Sequence, residues 1–246
     1  MSGLTYVITG ANRGIGKGLV SAILLRPQTT VIATVRDVSS ATTPLSTLPV
    51  GKGSKLIIVK IDSTVDTDPA AAVAELSSKH NITKIDVLVS NAGLLGIIAP
   101  VLETPANEVR KHIETNTIGP LVLLQAFMPL LSLSSSPKFL VISSTLGSIG
   151  ELHNLPVPFF AYGTSKAASN YFLRKVALEN PNLISMAFNP GWVQTDMGTG
   201  AAKGVGMVDA PMTLEDSVKG LLKLFDEASL EKTGTFTNVS GEPLPW

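Results

Sequence analysis

The sequence predicts a single-domain α/β fold: a doubly wound parallel sheet of about seven strands with helices on both faces. Three observations predict it. Short β-branched runs alternate with longer helical stretches from one end of the chain to the other. Most runs are continuous Val, Ile, Leu or Phe rather than in-and-out alternations, which marks strands covered on both faces. The first run also passes through a glycine-rich turn straight into a helical stretch, as right-handed strand–helix–strand crossovers require.

The first strand is expected over residues 6–9 (Tyr-Val-Ile-Thr), with a helix over 14–25. A second strand over 30–35 and a third over 55–61 follow, then a helix over 69–78. The fourth strand, 85–90, leads to a long helix over 106–131, broken before Thr115. The fifth strand, 138–143, precedes a helix over 161–179. The sixth, 183–189, precedes a helix over 214–228, and the seventh spans 235–239. Two segments fall outside the alternation: 145–160, with Pro156 and Pro158, and 192–211, rich in Gly, Ala and Thr. Long connections inside a compact domain tend to be binding loops or lids. Both follow strands at their carboxyl ends, where ligands bind in open α/β sheets. No linker, repeat or charge block divides residues 1–246, so one domain is expected.

Composition excludes several function classes. Apolar residues make up 44% of the chain and charged residues 15%, against about 25% charged in an average soluble domain. Nineteen basic residues balance 19 acidic ones without clustering, so the basic patch of a nucleic-acid binder is missing. With no cysteine, disulfides, thiolate metal sites and cysteine nucleophiles are excluded. No His and carboxylate set has metal-ligand spacing, and no G-x-S-x-G elbow for acyl chemistry is present. Residues 1–5 are too short for a signal peptide. The most apolar long stretch, 119–133, carries Pro120, Gln125 and Pro129 and is shorter than the roughly 20 residues of a membrane span. A cytoplasmic protein without a membrane partner is the expectation.

The chemistry begins at the turn Thr9-Gly10-Ala11-Asn12-Arg13-Gly14-Ile15-Gly16. Glycines there permit a sharp turn and close backbone approach, and the helix that follows offers free N–H groups and a partial positive charge to a phosphate. A second pattern, Tyr-x-x-x-Lys, occurs twice, at Tyr162/Lys166 and Tyr171/Lys175. Nine positions rotate a helix by about 900°, half a turn net, so the two pairs face opposite sides of one helix. Tyr162 sits at the helix start, beside the 145–160 connection; Tyr171 is read as a packing residue, with a helix–helix interface as one seat for it. Four-residue spacing puts Tyr162 and Lys166 on one face, where an ammonium, helped by the positive charge of an oxidised nicotinamide if one binds beside it, is expected to lower the phenol from its ordinary value near 10. His80 and His112 read as surface helix positions, and His153 as a solvated loop position.

With Thr-Gly-x-x-x-Gly-Ile-Gly, Asn91-Ala92-Gly93, Tyr162-x-x-x-Lys166 and Pro190-Gly191 in that order, the chain resembles the short-chain dehydrogenase/reductase family over nearly its whole length. Strand two, Ala-Thr-Val-Arg-Asp, and the ending Gly241-Glu242-Pro243-Leu244-Pro245-Trp246 are similar to one branch in particular. That branch holds the sniffer-like and C-factor-like carbonyl reductases and the fungal norsolorinic acid ketoreductases. The resemblance implies a Rossmann fold that binds NADP(H) through Gly10, Asn12, Arg13, Gly14, Ile15 and Gly16. It places Asp62 at the adenine, Asn91 and Gly93 along the adenine ribose, and Pro190, Val193 and Thr195 at the nicotinamide carboxamide. Asp62 could equally cap the turn after it.

Asp37, 21 residues after Gly16 (37−16), invites a reading as the acid that selects NAD. In the family pattern, however, Val35 occupies that acid's position, and Arg36 and Arg13 stand where NADP-preferring members carry basic residues. Two guanidiniums suit a dianionic phosphate; the alternative is a pair of solvated arginines. The resemblance further implies catalysis by Tyr162, Lys166, Ser144 and Asn116. Tyr162 is the proton donor, Lys166 also binds the nicotinamide ribose, Ser144 polarises the substrate carbonyl, and Asn116 kinks the long helix and holds a water beside the lysine. Ser144 is taken over Ser143 because the second serine matches the family position. Ser144 precedes Tyr162 by 18 residues (162−144), a longer interval than usual, which implies an insertion over 152–160.

The expected activity is NADPH-dependent reduction of a hydrophobic, aromatic or polyketide-like ketone or aldehyde, reversible as an alcohol dehydrogenase. The expected pocket walls are Leu94, Leu95, Leu146, Leu152, Phe159, Phe160, Trp192 and Met197. A homo-oligomer, dimer or tetramer, is expected from the long helices and low charge. The competing reading from another class is a non-catalytic NADP(H)-binding redox sensor, which would ordinarily lack the tyrosine. An epimerase-like relative would need a C-terminal substrate domain for which the chain has no room.

Overall fold

In a computed structural model that describes residues 3–246, seven strands form one sheet. They are β1 (Thr5–Thr9), β2 (Thr30–Val35), β3 (Lys55–Lys60), β4 (Val87–Ser90), β5 (Lys138–Ile142), β6 (Ile184–Asn189) and β7 (Phe236–Asn238). Their order is β3-β2-β1-β4-β5-β6-β7, and every neighbouring pair is parallel. β4 begins at Val87, two residues later than expected, and β7 is trimmed at both ends. The helices are α1 (Gly14–Leu24), α2 (Val38–Ser46), α3 (Asp68–His80), α4 (Ala106–Ile113), α5 (Gly119–Leu131), α6 (Phe160–Glu179), α7 (Asp196–Gly204) and α8 (Leu214–Asp226).

The continuous apolar runs are explained by two cores, one on each face of the sheet. Tyr6, Ile8, Val31, Ala33 and Val87 point to one side, where Leu19, Val20 and Ile23 of α1, Leu45 of α2 and Leu221 of α8 meet them. Val7, Ile32, Leu88 and Val141 point to the other, against Leu76 of α3, Phe127 of α5 and Leu173 of α6. Successive strand residues face opposite sides, so a strand sandwiched between helix layers has to be apolar at every position.

Two helices were not expected. α2 is capped by Asp37, the residue that invited an NAD reading, whose carboxylate accepts from the Ser39 N–H at 2.9 Å. α7 lies inside the segment expected to be a loop. Thr195 caps it, accepting from the Gly198 N–H at 3.1 Å, and three of its nine residues are glycine, which hides it from propensity. The long helix breaks as expected: a π-helical turn, Glu114–Ile118, separates α4 from α5. Within 145–159 the helical pieces are two short 3₁₀ turns, Thr145–Gly147 and Leu152–Asn154, and α6 begins at Phe160. Among the described residues, no helix is long and apolar enough to cross a membrane.

Close approach at the first turn makes Gly16 obligatory: a Cβ there would lie 2.3 Å from the Gly10 carbonyl oxygen and 2.6 Å from Asn91 Nδ2. Gly200 in α7 has nothing within 4 Å of that position. Gly16→Ala should therefore destabilise by about 1–3 kcal/mol through overpacking, lowering Tm by several degrees. Gly200→Ala should be neutral or stabilising by about 0.5–1 kcal/mol. Thermal unfolding followed by circular dichroism reads both.

Candidate active site

The strand order reverses between β1 and β4, whose crossovers leave in opposite directions, and a crevice opens there at the strands' carboxyl ends. It is a continuous cleft of about 1160 Å³. Every residue expected to hold the cofactor lines it: Gly10, Asn12, Arg13, Gly14, Ile15, Gly16, Arg36, Asp62, Asn91, Gly93, Pro190, Val193 and Thr195. So do Ser144, Tyr162 and Lys166. Asn116 does not; it lies behind the wall, 1% exposed.

The glycine turn and the Asn91-Ala92-Gly93 segment are built as one unit. The N–H groups of Asn91 and Ala92 both donate to Thr9 Oγ1, at 3.0 and 2.9 Å. Asn91 Nδ2 donates to the Thr9 carbonyl at 2.7 Å, which ties its amide to the turn. Gly10 has φ +64°, and a Cβ there would lie 2.9 Å from Ala92 Cα. The backbone thus leaves an open cradle at the start of α1, where free N–H groups and the helix dipole favour a phosphate.

Two arginines border that cradle. Arg13 reaches across to Asp196 at 3.3 Å, both side chains largely exposed; a solvated pair of this kind holds weakly and releases readily. Arg36 lies near Asp62. Burial pushes the Asp62 carboxyl up, but bonds from the Thr64 N–H and hydroxyl, with the charges of Arg36 and Lys60, outweigh it and hold the group below its ordinary range. Asp62 therefore does cap the turn after β3, while also lining the cleft.

At the other side, α6 carries Tyr162 and Lys166 one turn apart. Lys166 is 5% exposed. Its Nζ donates to the Ile142 carbonyl at 2.8 Å and lies 5.7 Å from the centre of the Tyr162 ring. Ser144 follows the end of β5, caps the 3₁₀ turn by accepting from the Leu146 N–H at 3.2 Å, and faces the Tyr162 hydroxyl. Ser143 points away into the protein, 2% exposed, donating to Asn170 Oδ1 at 2.5 Å.

Among the chain's own groups, the part of the expected lowering assigned to Lys166 is outweighed. Burial pushes Tyr162 up to about 12, and only the Ser144 hydroxyl draws it back. Burial brings Lys166 down to about 8. The ammonium is tied to a backbone carbonyl and lies over the ring face, and burial is the largest cause of both shifts.

Other expectations are corrected by packing. His112 is fully buried: its Nε2 accepts from the Gly96 N–H at 2.9 Å, and Nδ1 donates to the Glu108 carbonyl at 2.7 Å. Asn116 has both amide atoms committed to protein. Oδ1 accepts from the Leu94 N–H at 2.7 Å, and Nδ2 donates to the Leu94 carbonyl at 2.8 Å and to Ser165 Oγ at 2.9 Å. His112 and Asn116, four residues apart across the π turn, together fix the 94–96 segment. Tyr171 is 72% exposed and packs into neither core.

Of the expected pocket walls, Leu94, Leu95, Leu146, Phe159, Trp192 and Met197 line the cleft, but Leu152 and Phe160 do not; Leu155 and Val157 take their places. The register of that loop is set where Phe159 bridges to Ala99, which turns Phe159 inward and Phe160 outward. Phe159 meets Trp192 edge to face at 6.2 Å and 88°. Missed altogether were Ser165 and Asn170, and Ser143, weighed only as a rival to Ser144, proves to be tied to Asn170. Asn170 had a signal in its place on the stripe Tyr162, Lys166, Asn170 at four-residue intervals.

Comparison with known proteins agrees with this geometry. A family model described as short chain dehydrogenase matches residues 5–206. The chain is 45% identical over 247 residues to a norsolorinic acid ketoreductase of Dothistroma septosporum, covering 98% of this chain and 92% of that one. It is 41% identical to a norsolorinic acid ketoreductase of Aspergillus parasiticus, with 98% and 90% covered. Among solved structures, the NADPH-bound carbonyl reductase from chicken fatty liver superposes with a TM-score of 0.87 at 29% identity, each chain covered completely. The carbonyl reductase Sniffer of D. melanogaster gives 0.86 at 27%, again over both whole chains.

The buried lysine has a measurable signature. Its value of about 8 lies below the ordinary 10.5, so between those two pH values the folded protein holds fewer protons than the unfolded chain and stability rises with pH. The raised Tyr162 acts with the opposite sign, but only above pH 10. Lys166→Met should remove the Lys166 contribution. Its stability relative to wild type should fall by up to about 3 kcal/mol from pH 8 to 10.5, as read by denaturant unfolding across that range.

Proposed function

The chain belongs to the short-chain dehydrogenase/reductase family, and from that premise we propose that it is an NADPH-dependent reductase of a hydrophobic ketone or aldehyde, reversible as an alcohol dehydrogenase. The observation that carries this reading is a buried phenol, Tyr162, facing Ser144 in the same cleft that Arg13 and Arg36 border. The end of β2, which carries Arg36, and the end of β5, which carries Ser144, are three strand spacings apart in the order β2-β1-β4-β5. At about 4.8 Å per spacing that is about 14 Å, a span for a dinucleotide rather than a mononucleotide.

The residues present fit that group. The glycine cradle would take the diphosphate, Arg13 and Arg36 a 2′-phosphate, Asp62 the adenine, and Pro190, Val193 and Thr195 the nicotinamide side. Arg13 would exchange its weak pairing with Asp196 for a charge-assisted bond to phosphate. When bound, NADPH supplies hydride to the carbonyl carbon.

The chain's own residues do the rest. Ser144 orients and polarises the carbonyl oxygen. Tyr162 gives it the phenolic proton, and a phenol at about 12 is fully loaded at neutral pH, while the alkoxide it neutralises is more basic still. The Lys166 ammonium beneath the ring steadies the phenolate that results. Asn116 holds the wall at Leu94 and, through Ser165, the first turn of α6. Leu94, Leu95, Leu155, Val157, Phe159 and Trp192 keep water out and favour an apolar, aromatic or polyketide-like substrate. The names of the relatives, ketoreductases and carbonyl reductases, support the same class. Exposed apolar side chains on α5 and α6, Leu121, Phe160, Tyr171 and Leu178, support assembly as a homo-oligomer.

A redox sensor would bind NADPH without turnover. Mixing the protein with NADPH and a panel of aromatic ketones, followed at about 340 nm in the nicotinamide band, should show steady oxidation that a sensor would not. Tyr162→Phe should lower kcat by about 10²–10⁴-fold. Arg36→Ala should raise KM for NADPH about tenfold and leave KM for NADH unchanged, since one charge-assisted bond is worth roughly 1.5–3 kcal/mol. For ketone reduction, kcat/KM should be flat below pH 8 and fall as pH rises through about 8, where Lys166 loses its charge.

A further inference from the structure

We propose that Asn170 is a positioning residue for this chemistry, fixing the Ser144 hydroxyl relative to Tyr162 by clamping both ends of the turn that carries it. The proposal rests on the role given to Ser144 above. Ser144 sits in a short bridge between the end of β5 and the 3₁₀ turn Thr145–Gly147. On its amino side, Ser143 Oγ donates to Asn170 Oδ1 at 2.5 Å; on its carboxyl side, Asn170 Nδ2 donates to the Gly147 carbonyl at 3.2 Å. Both Asn170 and Ser143 are 2% exposed, so water cannot substitute for either bond.

The Gly147 carbonyl can only accept, which fixes the amide's orientation and makes Ser143 the donor on the other side. Gly147 itself lies flat on α6, where a Cβ would come within 2.6 Å of the Lys166 carbonyl carbon. One more contact holds the bridge from the opposite side: the Thr145 N–H donates to Asn189 Oδ1 at 3.2 Å.

Asn170 is eight residues after Tyr162 and four after Lys166, on the same face of α6. A single rigid helix therefore carries the proton donor, the cation and the clamp on the hydroxyl that faces the donor. A misplacement of about 1 Å in such a group can lower turnover about 100-fold. Removing the clamp should loosen Ser144 while leaving the cofactor cradle, built on β1 and α1, as it is.

The test is a double-substitution cycle on the ketone that wild type turns over fastest. Asn170→Ala should lower kcat about 10- to 100-fold, with the Kd for NADPH within about twofold by fluorescence titration. In a Ser144→Ala background the same substitution should lower kcat less than about threefold, because there is no hydroxyl left to position. Ser143→Ala, which removes one of the two bonds with little change in volume, should lower kcat about 3- to 10-fold and be equally silent in that background; it carries the test if Asn170→Ala fails to fold. An unchanged kcat for both variants, or an equal loss with and without Ser144, overturns the proposal while leaving the reductase reading intact. A Ser144→Ala protein with wild-type kcat overturns the role of Ser144 itself, and the proposal with it.

Discussion

The site depends on one buried bond, from the Lys166 ammonium to the carbonyl of Ile142 at 2.8 Å. An ammonium taken out of water loses several kcal/mol of solvation unless it is hydrogen-bonded, and this carbonyl is the partner that makes its position tolerable. The bond joins the second turn of α6 to the last residue of β5. That junction determines what stands near what: Tyr162 is one turn before it, Asn170 one turn after it, and Ser143 and Ser144 come immediately after Ile142. The close seat of Gly147 on Lys166 is the steric counterpart of the same junction. A helix displaced from it would separate the phenol from the serine even with every residue present.

The architecture was legible because burial on two faces leaves a plain mark. Val7 and Ile8 are adjacent and go to opposite cores, which is possible only where both faces are covered, and the seven runs declared this before any coordinates. α2 and α7 were not legible for the opposite reason. α2 has Pro44 inside it and α7 has Gly198, Gly200 and Gly204; what starts each is a single capping oxygen, on Asp37 and Thr195. Asp37 was considered for its charge and distance from Gly16, and a cap and a ribose ligand present the same carboxylate to a reader of sequence.

The site was legible in its members and less so in their state. Spacing placed Tyr162 and Lys166 on one face and separated them from Tyr171, and motif order brought the glycine turn and Asn91-Ala92-Gly93 together. Nothing in spacing tells how deeply a phenol is buried, so the upward push on Tyr162 from the chain's own packing was not legible. His112 was missed because its partner, the Gly96 N–H, belongs to a loop with no periodicity to read. The wall residues Leu152 and Phe160 failed on register: in irregular chain, which side chain turns inward is decided by one bridge, Phe159 to Ala99.

Burial acts in opposite senses on the two titrating groups. It raises an acid that becomes anionic and lowers a base that becomes cationic, so Tyr162 stands at about 12 and Lys166 at about 8. At neutral pH the phenol then holds its proton firmly while the amine is still mostly charged. In the reading proposed above, the anion that forms on a carbonyl oxygen during reduction meets this loaded donor and the nearby cation, and the reverse reaction draws the same proton off the phenol. Both groups serve either direction, because the balance between alcohol and carbonyl is set by the reactants and not by the groups that pass the proton. What burial contributes is a donor and a cation held in place together, each tied to its own element: the phenol and the amine on α6, and the amine to the last carbonyl of β5.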